Sequence, residues 1–291
     1  MTRIAGGRSR CSRRKARRPP PSRRSWRRNS PVQGPEVTTL DFEGFPIRVW
    51  SKGSGPPLGF LAGFGGLPRW VPFLDRLAER RHVVVPSLPG FPGGDRAHTV
   101  LDTHLDWVLA VRRILQAAGL QGADLAGSSV GGSLAAEVAA IWPDSLRRLA
   151  LIAPFGLYDE ADPPADPWAQ RPDSLAALMC ADPETWKALR APPEGANGVE
   201  WPIEQTRAIE ASARIFFPLG NTRLEKRLPL IKAPTLLLWG EADRAIPPAY
   251  AARMAAKLGG PHEMVTIPGA GHLAEFDQPD MVARHVLDWM G

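Results

Sequence analysis

Hydrophobic and polar positions along this chain follow two periods in turn. Val37-Thr-Thr-Leu-Asp-Phe and Pro46-Ile-Arg-Val-Trp alternate every second residue, which predicts a hairpin over 37–51 turning at Glu43–Gly44. Short apolar runs predict buried strands at 58–62, 82–86, 123–126 and 148–153, and at the start of the stretches 234–246 and 264–273. Helical spacing predicts helices over about 70–80, 101–118 and 279–290, and an alanine-rich helix after Ser129. The 101–118 helix reads with Leu105, Val108, Leu109, Val111 and Leu115 as its apolar stripe. The last helix reads with Met281, Val282, His285, Val286 and Trp289. Strands alternating with helices predict an α/β fold with a mostly parallel, doubly wound sheet. No internal repeat is visible.

The rhythm changes between about Leu157 and Leu228. That stretch is proline-rich and carries helical pieces near 173–180, 183–190 and 203–217. It therefore divides the body into 37–156 and 229–291, with 157–228 as a helical insertion. Trp168, Leu178, Met179, Trp186, Trp201, Phe216 and Phe217 are its large apolar residues. Trp186, Phe216 and Phe217 are the candidates to line a substrate pocket; packing of the insertion's own core is the commoner fate of such residues. Arg207 and Arg214 lie two helical turns apart and read either as an anion-holding pair or as surface arginines.

Composition changes the picture chiefly at the N-terminus. A chain of 291 residues holds a large core plus an insertion. Its net charge of +6 is misleading, because residues 1–36 carry 12 Lys or Arg and one acid, Glu36. The body keeps 24 basic against 29 acidic residues, so it offers no basic face for a nucleic acid. The 1–36 tail has too few apolar residues to bury a core. It reads as a disordered arm, or as residues ahead of a true start near Val32. A polybasic arm for nucleic acid or anionic membrane and a targeting peptide are the alternatives; the apolar core of a secretory signal is missing. No run approaches the roughly 20 apolar residues that span a membrane. Cys11 and Cys180 are the two cysteines and do not suggest a disulfide, so a reduced, cytoplasmic protein is expected.

The chemistry concentrates at three strand ends. Gly127-Ser128-Ser129-Val130-Gly131 fits G-x-S-x-G between a strand and a helix. Such a turn pushes the serine hydroxyl into the open, needs glycines where side chains would collide, and aims helix N-terminal amides at the same point. Asp243 follows the second run, in Gly240-Glu-Ala-Asp. His272 follows the third, in Gly271-His272. A histidine that titrates near neutrality can take and return a serine proton, and a carboxylate can fix its tautomer. The order Ser…Asp…His is the one that accompanies this serine turn.

With these three motifs in order, the chain resembles the α/β-hydrolase family from about residue 37 to the C-terminus. The resemblance implies Ser129 as nucleophile, His272 as general base and acid, and Asp243 as the group that orients His272. It implies a helical cap over the active site for residues 157–228. It also implies an oxyanion hole made by the backbone N–H groups of Phe64 and Val130, with Ala62-Gly63 standing where relatives carry His-Gly. Ser128 is the rival nucleophile, but it would leave Ala126 and Val130 in the glycine places. Glu241 is the rival acid.

A serine here argues against epoxide opening and dehalogenation, for which relatives use aspartate. The expected activity is hydrolysis of carboxylic esters with short, medium or aromatic acyl groups, acting on a small molecule and needing no cofactor. Carbon–carbon bond hydrolysis of ring-cleavage dienoates is the alternative. Relatives of that kind carry asparagine before the nucleophile and tryptophan after the histidine, where this chain has Ser128 and Leu273. Transacylation and perhydrolysis use the same acyl-enzyme, and a non-catalytic ligand receptor is the reading from another class. His82, His98, His104, His262 and His285 lack ligand spacing, so no metal site is expected. Oligomeric state is open.

Overall fold

The computed structural model describes residues 34–216 and 221–291. The expectations for the basic tail, up to residue 33, and for Phe217 lie outside those residues.

The strands are β1 (Glu36–Phe42), β2 (Phe45–Lys52), β3 (Pro57–Leu61), β4 (His82–Pro86), β5 (Asp124–Ser128), β6 (Leu149–Ile152), β7 (Thr235–Gly240) and β8 (His262–Ile267). They form one sheet in the order β1-β2-β4-β3-β5-β6-β7-β8. The β1–β2 hairpin pairs antiparallel, turns at Glu43–Gly44 as its alternation predicts, and joins β4 antiparallel; the remaining pairs are parallel. Glu43 and Gly44 both take positive φ, as such a tight turn needs. The central strands β5, β6 and β7 are buried at every position, and their runs Leu125–Ala126, Leu149–Ile152 and Leu236–Trp239 are apolar.

The helices are α1 (Pro72–Ala78), α2 (His104–Ala117), α3 (Ser129–Ile141), α4 (Pro172–Met179), α5 (Pro183–Arg190), α6 (Glu200–Phe216), α7 (Ala249–Ala255), α8 (Ala274–Asp277) and α9 (Pro279–Met290). The fold is thus α/β, with α4–α6 inserted between β6 and β7. The short helices α7 and α8 escaped the periodicity reading; the four residues of α8 are too few to show a stripe.

The expected stripe of α2 holds at Val108, Val111 and Leu115 and fails at two positions. Leu105 and Leu109 are 55 % and 40 % exposed. The buried face of α2 is Trp107, Val108, Ala110, Val111, Ile114 and Leu115. The capping box between Thr103 and Asp106 starts the helix at His104, and Trp107 then turns its own side of the helix toward the core. The last helix departs less: Val282 and Val286 are buried, while His285 and Trp289 sit at its margin. Among the described residues no helix is long and apolar enough to cross a membrane.

Candidate active site

Ser129 is the first residue of α3, directly after β5. Its φ is +50°, a left-handed conformation that a residue with a Cβ holds only under outside constraint. The constraint is close packing of the turn. A Cβ on Gly131 would stand 2.4 Å from the Leu61 carbonyl oxygen, and one on Gly127 would stand 2.8 Å from the Gly131 oxygen. The helix can enter this tightly only because both positions lack side chains.

Asp243 follows β7 and His272 follows β8, so both reach the same end of the sheet as Ser129. His272 Nε2 lies 2.8 Å from Ser129 Oγ, and Nδ1 lies 3.0 Å from Asp243 Oδ2. The other carboxylate oxygen, Oδ1, accepts the N–H groups of Ala245 at 2.8 Å and Ile246 at 2.9 Å. All three side chains are buried. The two loops touch through glycine: a Cβ on Gly240 would stand 2.0 Å from the Gly271 oxygen. The histidine loop is tied to the insertion as well. Leu273 N–H donates to Met179 at 2.8 Å, and Asp277 Oδ2 accepts the N–H groups of both Ala181 and Gly271 at 2.8 Å.

The loop after β3 lies over the serine turn. A Cβ on Gly63 would stand 3.1 Å from Ser129 Cβ and 3.2 Å from Ser128 Oγ. Gly66 N–H donates to the Gly63 carbonyl at 3.0 Å, while Phe64 N–H finds no acceptor among the described residues. Val130, the other residue named for an oxyanion hole, is the second residue of α3, where a backbone N–H has no partner within its own helix.

Two of the predicted pocket residues, Trp186 and Phe216, belong to one aromatic cluster. Trp186 packs on Phe64 with ring centres 6.2 Å apart, and Phe216 packs on Phe155 at 5.1 Å. Trp168 touches Phe64, Phe155 and Phe216. Phe155, just after β6, closes the cluster against the edge of the His272 ring at 5.5 Å. Trp201 stays partly exposed outside the core cluster. Arg214 pairs with Glu210, and Arg207 stands 3.9 Å from Asp95 and from Glu204, so both belong to ion pairs.

The rivals fall elsewhere. Glu241 is exposed and accepts the Gly269 N–H. The Ser128 hydroxyl is buried beside the Glu275 carboxyl, and it is Ser129 that His272 reaches. Among the described residues no group of His, Cys, Asp and Glu has metal-holding geometry. Burial pushes the Cys180 thiol well above its ordinary range, so it is inert as a thiolate.

Two site neighbours carried no sequence signal. Glu275, on α8 beside His272, is fully buried, with the Ser128 hydroxyl against its carboxyl. Burial pushes its carboxyl up to about 7. Arg190, at the end of α5, donates to the Gly65 and Gly66 carbonyls at 2.7 and 3.3 Å. Only its place three residues before Pro193 and its reach across 125 positions distinguish it, and the second of these is invisible in one dimension.

The sequence profile described as "Alpha/beta hydrolase family" matches residues 60–285. The chain is 27% identical over 280 residues to the dihydrolipoyllysine-residue acetyltransferase component of the acetoin cleaving system of Pseudomonas putida, covering 89% of this chain and 70% of that one. It is 26% identical over 267 residues to 2-hydroxy-6-oxo-2,4-heptadienoate hydrolase of Pseudomonas putida F1, covering 85% and 93%. Among solved structures it resembles a bacterial membrane phospholipase A with a TM-score of 0.71 and 28% identity, over 88% of this chain and 86% of that one.

Proposed function

The chain belongs to the alpha/beta hydrolase family, and from that premise we propose that it is a serine hydrolase of carboxylic esters with short, medium or aromatic acyl groups. The observation that carries this reading is the hydrogen-bonded series Ser129–His272–Asp243. As Ser129 Oγ attacks the ester carbonyl, His272 Nε2 takes its proton. Asp243 holds Nδ1 and offsets the imidazolium charge. The N–H groups of Phe64 and Val130 receive the oxyanion; removing one such donor raises a barrier by about 3 kcal/mol. His272 then returns the proton to the leaving alkoxide, an acyl group remains on Ser129, and a water deprotonated by His272 releases the acid. This reading asks for no cofactor.

Residues 157–228 act as the cap in this proposal. Ser129, Asp243 and His272 are all buried, and the proposal has the insertion shift to admit substrate. The cluster of Trp186, Phe216, Phe155 and Trp168 offers an acyl group an apolar wall rather than a polar one.

Carbon–carbon hydrolysis of dienoates is the second reading, favoured by the likeness to the Pseudomonas putida heptadienoate hydrolase. Against it, Arg207 and Arg214 are already engaged by carboxylates of this chain, Asp95, Glu204 and Glu210. Hydrolysis of p-nitrophenyl acetate, butyrate, octanoate and palmitate by wild type and Ser129→Ala, beside a dienoate ring-cleavage product, separates the two. Ester turnover lost in Ser129→Ala supports the first reading; dienoate turnover alone replaces it with the second.

A further inference from the structure

The loop after β3 holds a hydrogen-bond series that ends on a charge. Arg190 Nη1 donates to the Gly65 carbonyl at 2.7 Å. That carbonyl shares a peptide unit with the Gly66 N–H, which donates to the Gly63 carbonyl at 3.0 Å. The Gly63 carbonyl in turn shares a peptide unit with the Phe64 N–H. In a trans peptide the C=O and N–H point in opposite directions, so each bond fixes the aim of the next. Hydrogen bonds in series also polarise one another.

We propose that Arg190 is a positioning residue for the oxyanion hole, aiming and polarising the Phe64 N–H through the peptide units of Gly65–Gly66 and Gly63–Phe64. The proposal rests on the ester-hydrolase reading, in which Phe64 N–H meets the oxyanion. The guanidinium reaches the loop because Gly65 and Gly66 both take positive φ, +72° and +67°, and carry no side chain. A Cβ on Gly65 would stand 3.0 Å from Arg190 Nη1. Arg48 holds the next carbonyl from the sheet side: its Nη2 donates to Leu67 and to Pro92 at 2.8 Å. Burial lowers both guanidinium groups to about 10, with Glu204 opposing the shift, so both stay charged at neutral pH. Arg190 alone comes from the insertion. Oxyanion stabilisation is therefore tied to the seat of α5, and a displaced insertion leaves the Phe64 N–H less sharply aimed.

The test compares Arg190→Met and Arg190→Lys with wild type on p-nitrophenyl butyrate, reading kcat and KM separately. A second readout is the inhibition constant of a trifluoromethyl ketone, whose adduct with Ser129 carries an oxyanion. Arg190→Met is expected to lower kcat about 10- to 100-fold with KM within about 2-fold, and to weaken the ketone by a similar factor. Arg190→Lys keeps one charged donor and is expected to lose about 3- to 10-fold in kcat. Wild-type kcat in either variant overturns the proposal, as does a loss confined to KM. If Arg190→Met does not fold, Arg190→Lys decides by the same criteria. Failure of the ester-hydrolase reading itself shows separately, as full turnover in Ser129→Ala.

Discussion

Asp243 meets His272 with one carboxylate oxygen and closes its own turn with the other. Oδ2 lies 3.0 Å from Nδ1, and Oδ1 accepts two backbone N–H groups, from Ala245 and Ile246. The turn therefore dictates how an amide would sit in its place. In Asp243→Asn the amide oxygen must face the two N–H donors, which leaves its NH2 facing Nδ1. His272 is then forced to protonate Nε2, the atom that must accept the Ser129 proton. The expected result is a fall of about 10,000-fold in kcat with little change in unfolding temperature, measured by ester turnover and thermal melting at neutral pH.

The serine turn tolerates no side chain at Gly131. A Cβ there would stand 2.4 Å from the Leu61 oxygen and 2.5 Å from the Ala62 oxygen, both backbone atoms that cannot swing aside. Gly131→Ala is expected to destabilise the fold by more than about 3 kcal/mol, or to leave it unfolded. Gly122→Ala is the comparison, since nothing lies within 4 Å of its Cβ and only its φ of +71° is strained. That variant is expected to lose about 1 kcal/mol. Urea melts of the two measure the difference.

Phe216 is fully buried between Phe155 and Trp168. Truncation to alanine removes a ring from the wall that the proposed function assigns to the acyl group. It is expected to cost about 3 to 5 kcal/mol of stability and to move the preferred p-nitrophenyl ester from shorter to longer chains. A chain-length profile with unchanged shape would remove Phe216 from the acyl site.

Glu275 makes stability depend on pH in a direction opposite to that of a salt-bridged carboxylate. Its ordinary value is 4.5, and burial raises it to about 7 in the folded chain. Below pH 4.5 both folded and unfolded chains carry the proton, and Glu275 brings no penalty. As pH rises toward 7 the unfolded chain ionises first, so the folded state loses stability. Above about 7 the loss levels off, on the order of 3 kcal/mol. Glu275→Gln, which never ionises, is expected to gain in melting temperature over wild type as pH rises from 5 to 8. A difference independent of pH would show that Glu275 ionises normally.

Much of the fold was legible because its signals are local. The period of two at 37–51, the apolar runs of β3 to β7 and the glycine-rich serine turn each depend on neighbours in the chain. Ser129, Asp243 and His272 could be named because each sits where a strand ends, and parallel strands bring those ends to one side of the sheet. The same reasoning failed at Leu105 and Leu109, where two overlapping stripes were available and Trp107 selected the other.

Adjacent residues were enough to specify the alternation of strand and helix, the place of the insertion and the three strand-end residues, because hydrophobic period and turn chemistry are local. Three-dimensional packing was needed to place β4 between β2 and β3, to seal Glu275 from water beside His272, and to bring Arg190 to the Gly65 carbonyl. Those facts arise from contacts between segments far apart in the chain. Burial and hydrogen-bond partners belong to the packed chain, and no local pattern of residues encodes them.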